Sequence, residues 1–262
     1  MANLSEHKPN SRHFALYKGE PGAGKSIQAA TWASKGPVYF FDFDGKIDAV
    51  WNFFTNVIKK PDLLKNIEYD TFDSYNDAAK KLEELIEIPN KYETLVWDTL
   101  TTCVDKLLTQ VQNYKGADPK KKDKLKMVGE IQVSDVEDYN AESSALTRLV
   151  QAAKFDWQKN FIMVAHVVKV QNYALDGTVK TDTQLVTAGK KVAAKLPAYF
   201  NEIYHMVGSD GGSLGGKKYE VFTSATGVDF ARTALPLNAK LDVTGEKFIY
   251  NYLTQVENFK TL

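Results

Sequence analysis

The chain has 262 residues with 33 basic and 33 acidic side chains, so its formal net charge at pH 7 is zero. This balance excludes a globally cationic nucleic-acid-binding or membrane-binding protein and leaves only local basic patches for such contacts. The single cysteine, Cys103, excludes an intramolecular disulfide and a zinc site built from cysteines. The sequence has no apolar run of the roughly 18 residues that span a bilayer and no signal-peptide core, so we expect a soluble, cytoplasmic protein without membrane contact.

Short apolar runs, typical of buried strands, alternate along the chain with longer amphipathic stretches, typical of helices. The predicted strands lie at about residues 13–18, 38–43, 67–72, 94–97, 161–165, 202–207 and 217–223. The predicted helices lie at about residues 25–34, 74–87 with Ser74 as its cap, 100–114, 136–157 and 191–200. This order predicts an α/β fold with a mostly parallel central sheet, helices on both faces and a C-terminal β extension.

The chain shows no internal repeat and no long low-complexity linker, which predicts one domain. We expect a flexible N-terminal arm at residues 1–12 and a single domain at 13–262. Residues 115–135 are rich in lysine and poor in aromatic side chains, which predicts an exposed insertion. Residues 167–190 are polar and predict a mobile loop, in which Asp176-Gly177 can turn a hairpin.

Residues 19–26 match the P-loop pattern in full and lie between a predicted strand and a predicted helix. Glycines turn backbone N–H groups inward in such a loop, so that they surround phosphate groups. We expect Lys25 to reach the β- and γ-phosphates and the Ser26 hydroxyl to ligate Mg²⁺. The predicted nucleotide-binding residues are Gly19, Glu20, Pro21, Gly22, Ala23, Gly24, Lys25, Ser26 and Ile27. The expected cofactors are therefore ATP and Mg²⁺.

Two of the predicted strands end in aspartates. Residues 95–98 resemble a Walker B strand, and Asp98 at its carboxyl end is placed to hold Mg²⁺. The alternative is that Asp98 caps the next helix. Hydrolysis also needs a carboxylate that orients water at the γ-phosphate, and either Asp44 or Asp42 can serve. For Asp44 the alternative role is turn formation with Gly45.

His166 follows the most apolar strand in the chain and precedes the polar segment 167–190. A polar group at this position can sense the γ-phosphate and pass that state to the loop. The alternative is a histidine whose hydrogen bonds are satisfied by the backbone.

The order of these parts resembles that of the phage-encoded RecA/RadA-like nucleotide-binding proteins, which include core-only recombinases that act in single-strand annealing. The resemblance spans about residues 14–237. It implies a RecA-like P-loop NTPase core with Asp44 at the position of the catalytic glutamate. It also implies that His166 matches the γ-phosphate switch residue. Residues 230–232 resemble a basic motif that reaches a neighbour's nucleotide, in which only Arg232 can be carried over.

The same resemblance implies that residues 167–190 match the second DNA-binding loop of the family, and part of 115–134 the first. It further implies a homo-oligomer, as a ring or filament, with ATP at the subunit interfaces, and a host-cell cytoplasmic location. Basic loops interleaved with an aromatic side chain suit single-stranded DNA, although such loops are also often merely solvated. The residues concerned are Lys115, Lys120, Lys121, Lys122, Lys124 and Lys126 in the first loop, and Lys169, Asn172, Tyr173, Lys180, Lys190 and Lys191 in the second.

Three functions follow as hypotheses. The first is a Mg²⁺-dependent, DNA-stimulated ATPase that acts on single-stranded DNA in recombination or annealing. The second is a nucleotide-gated replication or helicase accessory module with little hydrolysis. The third is a kinase-type P-loop enzyme, and the presence of only three arginines counts against it because phosphoryl-transfer clamps use arginine. The predicted catalytic residues are Lys25, Asp44, Asp98, His166 and Arg232.

Overall fold

The computed structural model describes residues 12–118, 120, 126–128, 131–173, 179–210, 216–226 and 229–256. Its strands are β1 (Phe14–Gly19), β2 (Val38–Asp42), β3 (Ile67–Thr71), β4 (Thr94–Asp98), β5 (Lys126–Val128), β6 (Ile131–Val133), β7 (Asn160–Tyr173), β8 (Val179–Leu185), β9 (Glu202–Ser209), β10 (Lys218–Phe222) and β11 (Lys240–Asp242). Its helices are α1 (Lys25–Ala30), α2 (Asp48–Asn52), α3 (Tyr75–Glu87), α4 (Leu100–Ala117), α5 (Val136–Phe155), α6 (Lys190–Lys195) and α7 (Ile249–Leu253). Short 3₁₀ or π turns continue α1, α2 and α6.

Among the described residues, nine strands form a mixed sheet, ordered β11-β10-β9-β1-β7-β4-β2-β3 with β8 beside β7. The six strands from β9 to β3 in this order pair in parallel, whereas β10 and β11 add antiparallel strands at one end. This confirms the predicted α/β fold with a mostly parallel sheet and a C-terminal β extension. Because β1, β2, β4 and β7 run in the same direction, their carboxyl ends meet at one edge, where ligands bind in such sheets.

The sheet is covered by helices on both faces. All six residues of β1 are buried, as expected for a parallel strand between two helical layers. Phe14 and Leu16 pack on the face covered by α3, α4, α5 and α6, and Ala15 and Tyr17 pack on the face covered by α1, α2 and α7. The rigid core therefore fixes the end of β1, from which the glycine loop starts.

The segment after His166 differs from the prediction. The strand does not end at His166: β7 runs on to Tyr173 and pairs antiparallel with β8, from Val167 opposite Leu185 to Tyr173 opposite Val179. A two-stranded ribbon satisfies its backbone hydrogen bonds internally, so it forms without the apolar run by which buried strands are recognised in a sequence. We call residues 167–173 and 179–185 together the β7–β8 hairpin; the proposed turn at Asp176-Gly177 lies outside the described residues.

The described residues of the predicted insertion at 115–135 have secondary structure at both of its ends. Helix α4 extends to Ala117, and β5 and β6 pair antiparallel. Lys115 is buried, with Nζ 3.0 Å from Asp135 Oδ1 and 2.6 Å from Asp138 Oδ1. The prediction that Lys115 belongs to an exposed basic cluster is therefore wrong, because the first turn of α5 supplies carboxylates that hold it. Lys121, Lys122 and Lys124 lie outside the described residues.

Arg12 is not part of a flexible arm. Its guanidinium donates to the carbonyl oxygen of Trp157 at 2.8 Å and to that of Lys154. These bonds fix Arg12 to the end of α5, and residues 1–11 of the predicted arm lie outside the described residues. None of the described helices combines the length and the apolar character needed to cross a membrane.

Candidate nucleotide-binding site

The glycine loop lies between the carboxyl end of β1 and the first turn of α1. Gly22 and Gly24 have φ angles of 79° and 82°, which side chains with a Cβ atom rarely adopt. A Cβ atom on Gly19 would lie 2.3 Å from the carbonyl oxygen of Met206 in β9. Backbone conformation and close packing therefore both require the glycines that the P-loop pattern contains.

Lys25 opens α1 and is 4% exposed. Its ammonium donates to the carbonyl oxygens of Gly19 at 3.1 Å and Glu20 at 2.8 Å, and lies 3.2 Å from Nδ1 of His166. Burial lowers the pKa of Lys25 to about 8, against the nearby carboxylates of Asp98 and Asp44, which raise it. The structure thus places a cation inside the glycine loop, held by groups that phosphate oxygens can replace.

Asp98 ends β4, and its peptide bond to Thr99 is cis. Thr99 rather than Asp98 is the N-cap of α4, which removes the alternative role considered for Asp98. Oδ1 of Asp98 is buried and has no hydrogen-bond partner among the described residues. Burial raises the pKa of Asp98 to about 7, and a hydrogen bond from the Ser26 side chain works against this shift. An orphaned carboxylate oxygen beside a hydroxyl is a donor set that fits Mg²⁺, which prefers oxygen ligands.

Asp42, the last residue of β2, and Asp44, two residues later, have different surroundings. Asp42 is 3% exposed, and its Oδ1 accepts hydrogen bonds from the backbone N–H groups of Asp44, Gly45 and Lys46 at 3.1, 2.9 and 3.4 Å. Asp42 therefore closes the turn that carries Asp44. This turn directs Asp44 toward the P-loop, close enough for its charge to raise the pKa of Lys25.

The Asp44 carboxylate is held by two threonines that the sequence analysis missed. Its Oδ1 accepts hydrogen bonds from the hydroxyls of Thr102 and Thr99, the latter at 3.3 Å. Both threonines belong to the start of α4, directly after Asp98. The only sign of them in the sequence is the threonine-rich stretch after Asp98. Its role becomes visible only in the tertiary structure, where the turn after β2 lies opposite the start of α4.

His166 lies where β7 leaves the sheet and enters the hairpin. Its backbone N–H donates to the Thr101 hydroxyl at 3.3 Å, and its carbonyl accepts from the N–H of Val186 at 2.9 Å. Burial and the neighbouring Lys25 lower the pKa of His166, which favours the neutral ring. The side chain thus faces the P-loop lysine, while the backbone is bonded to α4 and to the end of the hairpin.

Arg232 does not join this group. Its Nη2 donates to the carbonyl oxygens of Pro197 at 3.1 Å, Ala198 at 3.3 Å and Phe200, all in the same chain. Its backbone also pairs with Ile203 of β9. These contacts hold Nη2 of the guanidinium within the same chain, so they favour a structural role for Arg232 and do not support a role at the nucleotide of a neighbouring chain.

We expect the Arg232→Ala variant to lose about 1–2 kcal/mol of unfolding free energy, because hydrogen bonds from a charged donor are lost. ATP turnover per folded molecule should stay unchanged. Urea titration and steady-state ATPase assays measure the two quantities. If Arg232 instead reached the nucleotide of a neighbouring subunit, the Arg232→Ala variant would hydrolyse ATP poorly at full stability. Mixing Arg232→Ala with Lys25→Ala subunits would then restore part of the activity.

An apolar pocket of about 310 Å³ adjoins the first turn of α1. Gly24, Ile27, Phe53, Tyr219 and Val243 are among its lining residues. The Tyr219 ring lies against Gly24, since a Cβ atom there would be 3.3 Å from the ring. A planar base attached to phosphates in the glycine loop fits such a lining. Two of the residues predicted to bind the nucleotide, Gly24 and Ile27, line this pocket.

The chain is similar to known proteins at the level of a protein family and of a solved structure. No curated protein matches the chain. Among solved structures, a KaiC-like protein from the hyperthermophilic archaeon Pyrococcus horikoshii OT3 has 10% sequence identity and a TM-score of 0.46, with 83% of this chain and 80% of that chain covered. The family model described as an AAA domain matches residues 11–225, which include the P-loop, Asp44, Asp98 and His166. The chain therefore belongs to the AAA domain family of P-loop ATPases.

Proposed function

We propose that the protein is a Mg²⁺-dependent ATPase that acts on single-stranded DNA in recombination or annealing. We further propose that it works as a homo-oligomer, a ring or a filament, with ATP at the subunit interfaces. The observation that carries the ATPase proposal is the meeting of Lys25, Asp98, Asp44 and His166 around the glycine loop. Membership of the AAA domain family supports nucleotide binding, whereas the DNA proposal rests on the β7–β8 hairpin and on the resemblance.

The phosphate chain is bound by the glycine loop and Lys25. The Lys25 ammonium now donates to two neutral carbonyl oxygens, and phosphate oxygens are stronger acceptors because they are charged. We therefore expect the ammonium to turn from these carbonyls to the β- and γ-phosphates. Ser26 and Asp98 would hold Mg²⁺, which neutralises phosphate charge. The apolar pocket beside Gly24 and Ile27 would receive the base.

Hydrolysis needs a water molecule aligned with the γ-phosphorus. Asp44 would accept a hydrogen bond from this water and take its proton as the new phosphorus–oxygen bond forms. The bond from the γ-phosphorus to the bridging oxygen breaks in the same in-line displacement, so that ADP leaves with that oxygen and its bonding electron pair, and the γ-phosphorus leaves as inorganic phosphate. His166 would report the change, since its ring contacts Lys25 and its backbone holds the end of the hairpin.

The β7–β8 hairpin is the proposed DNA-binding element. Tyr173 is 74% exposed, which leaves its ring free to stack on a base. Lys169, also on the hairpin, has Nζ 3.1 Å from Glu20 Oε1 in the glycine loop. The hairpin is thus joined to the nucleotide site at Glu20 and at His166, and this arrangement supports a DNA affinity that depends on nucleotide.

The proposal is tested by size-exclusion chromatography and ATPase assays, each with and without ATP and single-stranded DNA. Turnover that rises with DNA, together with an ATP-dependent increase in size, is the expected result. ATP binding with little turnover in all conditions would favour the accessory-module hypothesis. Transfer of the phosphoryl group to a metabolite would favour the kinase hypothesis.

Replacing Lys180, Lys190 and Lys191 with glutamine should weaken binding to single-stranded DNA and flatten its dependence on salt. Each phosphate contact that is lost reduces the magnitude of the negative slope of log K against log salt concentration by about 0.7, because fewer counterions are released. Fluorescence anisotropy with labelled oligonucleotides at several salt concentrations measures both effects.

The matched control replaces three lysines around β3 with glutamine. Lys81 and Lys91 lie 3.8 and 2.8 Å from Asp70 and Glu68 of that strand, and Lys65 precedes it in the chain. This control should bind DNA as the wild type does. If the variant at Lys180, Lys190 and Lys191 also kept the wild-type affinity and the wild-type salt slope, these three lysines would not belong to the DNA-binding site.

A further inference from the structure

We infer that Thr102, assisted by Thr99, is a positioning residue that fixes Asp44 for hydrolysis. The inference rests on the proposed function, in which Asp44 orients the attacking water. The Thr102 hydroxyl donates to Asp44 Oδ1, and the Thr99 hydroxyl lies 3.3 Å from the same oxygen. Nothing in the P-loop or Walker B patterns assigns a role to either threonine.

The two threonines reach Asp44 because of where α4 begins. Thr99 is the N-cap of α4 and Thr102 is the third residue of that helix. An N-cap side chain folds over the third residue, and the Thr99 hydroxyl accepts a hydrogen bond from the Thr102 N–H at 3.4 Å, which brings the two side chains together. The start of α4 follows Asp98 directly, and therefore one rigid helix end sets the position of Asp98 and of the Asp44 carboxylate together.

The two threonine hydroxyls bind only one of the two oxygens of the Asp44 carboxylate. Both hydroxyls donate to Oδ1, whereas Oδ2 has Lys46 Nζ at 3.5 Å, on a lysine side chain that is 77% exposed. The Asp44 side chain itself is only 10% exposed. Bonds to Oδ1 fix the rotation of the carboxylate, and Oδ2 then keeps a defined direction in which it can accept the proton of a water molecule.

The fixed rotation matters because Asp44 has a short side chain. An aspartate reaches one methylene less far than a glutamate, so it depends more on its support for correct placement. A misplacement of about 1 Å in a reacting group can lower a rate by about a hundredfold. The threonines would act on catalysis through Asp44 alone, without touching the nucleotide.

Thr101, between them in the sequence, has other partners. Its hydroxyl donates to the Val186 carbonyl oxygen at 3.3 Å and accepts from the His166 N–H. The three threonines after Asp98 thus divide into two groups: Thr99 and Thr102 hold the carboxylate, and Thr101 holds the end of the hairpin.

The experiment compares Thr102→Val, which removes the hydroxyl at nearly constant volume, with Thr102→Ser, which keeps it. We expect Thr102→Val to lower the kcat for ATP by about 10- to 100-fold, with the Kd for ATP changed less than twofold. Thr102→Ser should recover most of the turnover. Thr109→Val is the control on the same helix, since the Thr109 hydroxyl donates to the Asp105 carbonyl oxygen at 3.0 Å, within the helix and away from Asp44. Its kinetics should equal those of the wild type.

A double variant separates this inference from the proposed function. In an Asp44→Asn background, Thr102→Val should have no further effect on turnover, because the group that it positions has already lost its function. The inference is overturned if Thr102→Val keeps wild-type turnover while Asp44→Asn has lost it. It is also overturned if the two effects multiply, or if Thr102→Ser is as slow as Thr102→Val. Full turnover in Asp44→Asn would instead refute the role of Asp44, and the positioning role with it.

Discussion

Replacing Lys25 with alanine is expected to raise the Kd for ATP at least about thirtyfold, which corresponds to about 2 kcal/mol. The ammonium lies inside the glycine loop, 3.1 and 2.8 Å from two of its carbonyl oxygens, so it is already placed where phosphate oxygens would replace them. Without it, the negative charge of the triphosphate is left without its nearest cation. Isothermal titration calorimetry with ATP measures the change.

Because Lys25 is 4% exposed, Lys25→Ala also removes a buried aliphatic stem. The matched control is Lys25→Met, which keeps most of the stem and lacks the charge. Both variants should lose affinity for ATP to a similar extent while Lys25→Met keeps the native circular dichroism spectrum. Wild-type affinity in a folded Lys25→Met variant would show that the glycine loop does not bind the triphosphate.

Asp44→Asn is expected to lower the kcat for ATP by about 10²- to 10⁴-fold, the usual contribution of a positioned general base. The amide keeps the size of the carboxylate and can still accept at Oδ1 from Thr99 and Thr102, so fold and ATP affinity should change little. Single-turnover hydrolysis and equilibrium ATP binding, measured on the same preparation, separate the chemical step from binding.

Asp42→Asn is the control for this experiment. Its Oδ1 can still accept the three backbone N–H groups of the turn, so we expect near-normal stability and turnover. If Asp42→Asn stopped turnover while Asp44→Asn did not, the roles of the two aspartates would be reversed. The sequence left this choice open, since both residues lie at the carboxyl end of the same strand, two positions apart.

Residues in local patterns were predictable from the sequence. The glycine loop needs positive φ angles at Gly22 and Gly24, and glycine is the residue type that adopts such angles readily, so the sequence itself indicates the loop. Ser74 was likewise recognised as a helix cap, and its side chain accepts the N–H of Asp77 at 3.3 Å. The order of apolar runs predicted the parallel sheet, because each buried strand and each amphipathic helix carries its own periodicity.

Contacts between distant segments were decided only by the tertiary structure. The sequence does not show that Asp44 meets Thr102, 58 positions later, or that Arg232 is bonded to the turn at 197–200. The residues Asp176-Gly177 indicated a hairpin within 167–190, but the sequence did not show that β7 runs on past His166, because the two paired strands satisfy their backbone hydrogen bonds with each other and need no apolar run. By itself, the sequence determined the phosphate-binding loop and the class of fold, since both depend on local conformation and periodicity. The packing of the elements decided that Asp44 lies near Lys25 and that Thr99 and Thr102 hold the Asp44 carboxylate. Hydrogen bonds between side chains depend on the positions of whole elements rather than on neighbours in the chain.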